Sequence, residues 1–258
     1  MVTAASTSAD PLNYRKPQAH FDATTFEVVG GGVGRGGSAL LISQAAHKRL
    51  TDKAAPPVLM GSPAGVPRSG IQMTAWGSEF LGWNTKWVIG YRGTNDLLLA
   101  LERGEIDMTS TANLFLITKL LATGRFNILA QSGTLQHGAI VPRPDFGDAP
   151  VLASLLQGRI ADPLARAAFE YWGNISSMDK WLALPPKTPS PRLAAYRDAY
   201  ARIVRNPDFL DRGKKTSDDF VPLLSREVES LIKTLGQRSP DAFAFLNRMF
   251  KKQGLPVE

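Results

Sequence analysis

Val58-Leu59-Met60 runs into Gly61-Ser62-Pro63-Ala64-Gly65-Val66-Pro67-Arg68-Ser69-Gly70, and Trp87-Val88-Ile89-Gly90-Tyr91 runs into Arg92-Gly93-Thr94-Asn95. Further on, Ile106-Asp107-Met108 runs into Thr109-Ser110-Thr111. Each short apolar run ends in a loop of small residues, and helical patterns separate the three. Such alternation implies parallel strands joined by crossover helices. In a sheet of that kind all three loops lie at the carboxyl edge, where open α/β sheets bind ligands. A helix begins after each loop, so unpaired backbone N–H groups and the positive dipole end face the crevice. The surface suits a small anion.

The two crossovers rest on specific residues. Asn95 is read as an N-cap with Asp96 in the first turn, and Leu97, Leu98 and Leu101 form one apolar stripe before Gly104 ends the helix. Ser69-Gly70 opens the preceding helix, which carries Ile71, Ala75 and Trp76 and stops at Gly82.

The chain has 258 residues, enough for one large domain or two small lobes. With 43% apolar and 21% charged residues it has the composition of a globular protein with a substantial core. No apolar run approaches the ~20 residues of a membrane helix. There is no cysteine, which excludes disulfide and thiolate chemistry and leaves the redox compartment open. Net charge is +7, but the excess is scattered, densest at His47-Lys48-Arg49, Arg212-Gly213-Lys214-Lys215 and Lys251-Lys252. A nucleic-acid footprint would gather that charge on one face among aromatics, so no nucleic-acid partner is expected, and a generally anion-attracting surface is.

Met1–Asp10 is small and polar, with no basic and apolar segments in the order of a signal peptide. Phe26-Glu27-Val28-Val29 reads as a strand that leads into Gly30-Gly31-Gly32-Val33-Gly34-Arg35-Gly36-Gly37. This run contains G-x-G-x-x-G at Gly32, Gly34 and Gly37, with Ser38–Leu50 as the helix that could stand behind it. A dinucleotide site also needs an acidic residue near the end of the next strand, and Val58-Leu59-Met60-Gly61-Ser62 has none. A turn, or a strand crossing between lobes, is the alternative that the missing acid favours.

Downstream, Asn113–Thr123 reads as a helix, Phe126–Ala130 as a strand, Val151–Gln157 as a short helix and Lys180–Leu184 as a strand. Three helices are expected to close the chain, opening at Ser190-Pro191, Ser225 and Ser239-Pro240, with their aromatics in the core. Catalytic constellations are missing. His20, His47 and His137 have no metal-binding spacing, and there is neither a G-x-S-x-G elbow nor a phosphate-binding G-x-x-x-x-G-K-[ST] loop. Asp107, inside the strand that leads into a loop, reads either as a ligand contact or as a cap on nearby backbone. No catalytic residue, metal or cofactor is assigned.

Gly61-Ser62-x-x-Gly65 before a helix, Val88-x-Gly90-Tyr91-x-Gly93, and Gly104-Glu105-Ile106-Asp107-Met108 together resemble the receptors of tripartite tricarboxylate transporters, the Bug-type periplasmic solute-binding proteins. The likeness continues through Asp148-Ala149-Pro150, Leu184-Pro185-Pro186-Lys187-Thr188-Pro189 and Asn206-Pro207-Asp208-Phe209, and covers roughly Phe21–Leu235. It implies a two-lobed α/β periplasmic-binding-protein-like (type II) fold with parallel-rich sheets, closing on a di- or tricarboxylate and serving membrane transporter subunits. Nothing before Phe21 matches the family's first-lobe loop, so the chain resembles a member whose first lobe is incomplete. Residues 1–20 are expected as loop or disorder, 21–182 as the second lobe with its βαβαβ core, and 183–258 as a return segment with C-terminal helices packing on the first lobe.

By that resemblance the ligand falls to Ser62, Gly65, Arg68 and Ser69 in the first loop, to Tyr91, Arg92, Gly93 and Thr94 in the second, and to Asp107 and Ser110 in the third. Pro63, Pro67 and Arg68 enlarge the first loop relative to the family pattern, and Arg92 stands where the family has lysine. A carboxylate receptor without catalytic activity, periplasmic by resemblance, is the expectation. An NAD(P)-dependent or other α/β enzyme using Gly30–Gly37, and a receptor-derived sensory or interaction domain, are the alternatives.

Overall fold

The computed structural model describes residues 2–4, 9, 15, 18–31, 37–63, 71–136, 139–176, 180–216, 220–236 and 240–255. The strands are β1 (Val2–Ala4), β2 (Glu27–Gly31), β3 (Ala39–Ser43), β4 (Val58–Pro63), β5 (Thr85–Tyr91), β6 (Met108–Thr111), β7 (Phe126–Gln131), β8 (Thr134–Gln136), β9 (Ala139–Val141), β10 (Trp181–Leu184) and β11 (Leu223–Leu224). The α-helices are α1 (Gln44–His47), α2 (Gln72–Phe80), α3 (Thr94–Arg103), α4 (Leu114–Ala122), α5 (Leu152–Leu155), α6 (Pro163–Ser176), α7 (Ser190–Ile203), α8 (Pro207–Thr216), α9 (Ser225–Gly236) and α10 (Pro240–Lys252). Two compact units result. Unit 1 is Met1–Gly36 with Glu170–Pro240, and unit 2 is Gly37–Phe169 with Asp241–Glu258.

Unit 2 holds a five-stranded mixed sheet in the order β5-β4-β6-β3-β7. Its β4 is parallel to both β5 and β6, as the alternating pattern requires, while β3 is antiparallel to β6 and β7. From β4 the chain steps outward to β5, then back past β4 to β6. Right-handed crossovers therefore put α2 and α3 on opposite faces of the sheet. Gly61 marks the α3 face, because a Cβ there would sit 2.8 Å from a Leu97 methyl. Met60 and Ser62 alternate with Gly61 and point to the other face, under α2. On that side Trp76 is fully buried, with Phe80, Phe169 and Phe245 at ring separations of 5.7, 5.0 and 6.2 Å.

Ser38–Leu50 is a correction. Instead of a helix behind the glycine run, Ala39–Ser43 is β3, and Ser43 Oγ accepts from the Ala46 N–H to open the single turn of α1. Ala39, Leu40, Leu41 and Ile42 are all fully buried between two partner strands. A continuous apolar run of this length suits a strand covered on both faces as well as a helix, and periodicity cannot separate the two. Burying each large side chain contributes about 1.5–3 kcal/mol, which favours the central position.

Unit 1 holds an antiparallel sheet in the order β1-β10-β2-β11. Its glycines have a packing reason. A Cβ on Gly30 would fall 2.1 Å from the Tyr200 ring of α7, and one on Gly31 would meet Val228 of α9 at 2.8 Å. Tyr200 Oη donates to the Gly31 carbonyl, and Arg197 Nε donates to the Val28 carbonyl at 2.8 Å. The dinucleotide reading fails here, since the segment after the run is a strand and offers no helix N-terminus for a pyrophosphate. Gly32 and Gly34 lie outside the described residues. The run instead carries the chain from unit 1 to unit 2.

Two further differences concern the C-terminal half. Among the described residues four helices close the chain, because Pro207–Thr216 is also helical, with Asn206 Oδ1 accepting from the Phe209 N–H. The last of them, α10, belongs to unit 2 and not with the preceding helices. Lys252 Nζ bonds both carboxylate oxygens of Glu79, and Gln253 Nε2 donates to the Ala75 carbonyl. The chain passes from one unit to the other at Gly36/Gly37, within α6 at Phe169/Glu170, and at Pro240/Asp241 where α10 begins.

Candidate functional site

Parallel pairing brings the ends of β4, β5 and β6 to one edge of unit 2. Antiparallel β3 adds its first residues there, with Ala39 opposite both Thr111 and Gln131. The Ser38 and Ser132 segments lock together through Ser38 N–H to Ser132 Oγ at 2.8 Å and Ser132 N–H to the Ser38 carbonyl at 2.9 Å.

Ser62 ends the buried part of β4 with no exposed surface, and its hydroxyl has no partner among the described residues. Ser110 in β6 is 8% exposed, and its hydroxyl is likewise unpaired. A register shift between Ser62 and Pro63 pairs Ser62 with Ile89 and Pro63 with Tyr91, leaving Gly90, at φ +120°, as the extra residue of a bulge. Such a bulge re-aims the side chain that follows it. The Tyr91 phenol is held above its ordinary pKa, first by burial and then by the charge of Glu105, so it remains a hydrogen-bond donor. Next, Gly93 is the N-cap of α3 and supplies no side-chain cap. The first-turn N–H groups of Thr94, Asn95 and Asp96 are therefore not satisfied within the helix. Asn95, expected as that cap, lies inside the helix instead. Arg92 and Thr94 are exposed beside this terminus.

Asp107 does not join them. It lies one residue before β6, at the amino edge, where Oδ1 accepts from Arg49 Nη2 and Oδ2 from the Leu59 N–H, each at 2.9 Å. Both carboxylate oxygens are committed to holding β4, β6 and the turn after α1 together, which is the backbone-capping alternative. Gly65, Arg68 and Ser69 lie outside the described residues.

Arg143 is a feature of this edge that pattern reading missed. Its side chain is 5% exposed, with Nε on Asp145 Oδ2 at 2.8 Å, Nη1 on the Ala112 carbonyl at 3.2 Å, and Cζ 4.8 Å from the centre of the Phe146 ring. Its N–H donates to Gln131 Oε1 at 2.6 Å. It ties the β6–α4 loop to the segment beyond β9. No sequence spacing links residue 143 to residue 112. Thr74 and Thr109 also carry buried, unpaired hydroxyls and were not singled out by their sequence setting. Among the described residues no group of three or more potential metal ligands occurs, and no helix is long and apolar enough to cross a membrane.

The sequence matches no protein-family model and no curated protein. The fold, however, is similar to that of solved solute-binding proteins. A TctC solute-binding protein from Polaromonas superposes with a TM-score of 0.60 at 16% identity, over 97% of this chain and 77% of that one. An R. palustris protein solved with adipate gives 0.60 at 16% identity over 99% and 78%, and the periplasmic binding protein BugD gives 0.57 at 17% over 99% and 78%. The chain therefore has the mixed α/β fold of the TctC and Bug receptors, with a parallel-containing sheet.

Proposed function

We propose that this chain is a TctC-type solute-binding receptor that holds a small di- or tricarboxylate and presents it to membrane transporter subunits, in the periplasm and without a catalytic step. The observation that carries this reading is the carboxyl edge of unit 2. There the uncapped N-terminus of α3 follows directly on Tyr91, and β4 and β6 bring the unpaired hydroxyls of Ser62 and Ser110 to the same edge on the face that α2 covers. Backbone N–H groups at a helix start, together with neutral donors and a favourable dipole, suit an anion that only accepts hydrogen bonds. The shared fold supports the same reading, since one of its counterparts was solved with a dicarboxylate. The test is calorimetry of the full chain against succinate, adipate, citrate, glucose and NADH. Saturable binding of a carboxylate is expected. Binding of glucose or NADH with all three acids silent overturns the reading.

A further inference from the structure

We propose that a cavity of about 400 Å³ in unit 2, between the end of α2 and the α5 segment, binds a small amphipathic monoanion, one acidic group on a single aromatic or branched apolar body. The proposal goes beyond the receptor reading and does not depend on it. None of the residues lining the cavity belongs to the three loops at the carboxyl edge.

The lining divides by chemistry. Leu50 and Trp83 are buried, Leu129 and Leu155 are half-buried, and together they make an apolar floor. His47, Thr51 and Arg159 are exposed and stand at the mouth. Their side chains make no hydrogen bond or ion pair among the described residues, and no acid among those residues lines the cavity. An imidazole N–H, a hydroxyl and a guanidinium above an apolar floor match a ligand with an anion at one end only. The guanidinium also offers a fork for two acceptor oxygens. A dicarboxylate would have to bury its second charge against leucines, so the acids expected at the carboxyl edge do not suit this cavity.

The walls are built to stay apart. The Trp83 ring fills the space beside Gly77, where a Cβ would stand 2.0 Å from it. The flanking backbone is pinned, since the Asn84 N–H donates to the Leu50 carbonyl at 2.6 Å and Lys53 Nζ to the Trp83 carbonyl at 3.2 Å. On the α5 side, the Pro150 carbonyl accepts from the Gln131 N–H at 2.9 Å. Small-molecule sites span roughly 300–1,000 Å³, and a pre-formed pocket spares the ligand the cost of opening it.

Calorimetry of the full chain with phenylacetate, 2-phenylethanol and acetate tests the assignment, alongside the indole N–H resonance of Trp83, identified through Trp83→Phe. Phenylacetate should bind saturably and shift that resonance. The alcohol lacks the charge and acetate lacks the apolar body, so each should bind roughly fivefold or more weakly. Arg159→Gln should weaken phenylacetate roughly three- to fivefold, with the thermal midpoint of the wild type because the replaced side chain bonds nothing among the described residues. Absence of saturable phenylacetate binding overturns the proposal, as does equal affinity in Arg159→Gln or an alcohol that binds as tightly as the acid. Phenylacetate binding that responds to Ser62→Ala and not to Arg159→Gln also overturns it, and leaves the receptor reading standing.

Discussion

Tyr200 shows how much one residue decides. Its ring occupies the space a Cβ would need at Gly30, and its hydroxyl serves the Gly31 carbonyl. Burial, and secondly the charge of Glu227, push its pKa up to about 12 from 10.0. A folded-state value above the unfolded one gives stability that is complete below pH 10 and lost as pH rises towards 12, because the unfolded chain ionises first. Tyr200→Phe should cost about 1–3 kcal/mol at neutral pH by orphaning a buried carbonyl. In the same variant the wild-type decline between pH 10 and 12 should be shallower, as denaturant midpoints across that range would show. Asp107→Asn makes the complementary case. It should lower stability by about 1–2 kcal/mol through its weakened bonds to Arg49 and Leu59, and calorimetry should find carboxylate affinity unchanged. Neither role was legible in sequence. Glycine in a run looks like a loop whether or not a ring lies above it, and a strand-end aspartate looks the same at either edge.

At the scale of the element, α3 was the most legible part of the chain except at its first residue. The apolar stripe of Leu97, Leu98 and Leu101 and the Gly104 stop are where periodicity puts them, with Gly104 at φ +75°. Its start moved because Asn95 is a good cap in isolation, while the chain becomes helical at Thr94. Gly93 is there for neither conformation nor space: φ is 175°, ordinary extended backbone, and nothing lies within 4 Å of a Cβ. Gly93→Asn should therefore cap α3 and raise stability by a few tenths of a kcal/mol. The same side chain would occupy N–H groups that an anion needs, so carboxylate affinity should drop. Thermal midpoints with calorimetry on one preparation will show whether the two effects oppose. β3 was the least legible element, because Ala39–Ile42 owes its strand state to β6 and β7, which lie far along the chain.

For the whole molecule, legibility ended where distant segments meet. The parallel βαβαβ order could be read from local patterns, as could the presence of helices after Ser190. The membership of α10 in unit 2 could not, since it depends on Phe245 stacking at 6.2 Å on Trp76 and 6.4 Å on Phe80, residues far away in sequence. Ending the chain at Gly236 should strip those rings and the Lys252–Glu79 pair from unit 2. Near-ultraviolet dichroism from Trp76 and Trp83 should then collapse, together with carboxylate binding. A truncated chain with wild-type aromatic signals would show that unit 2 is complete without α10.

The chain passes between its units at Gly36/Gly37, Phe169/Glu170 and Pro240/Asp241, and this dictates an order of events during synthesis. Everything in unit 2 except α10 is made before the greater part of unit 1, so the Trp76 cluster waits while Glu170–Pro240 is translated. At roughly 5–20 residues per second the ribosome needs on the order of 4–15 s for that stretch. Throughout it the nascent chain presents an aromatic surface made for a helix that has yet to be synthesised, and a chaperone that holds such surfaces would find its longest opportunity there.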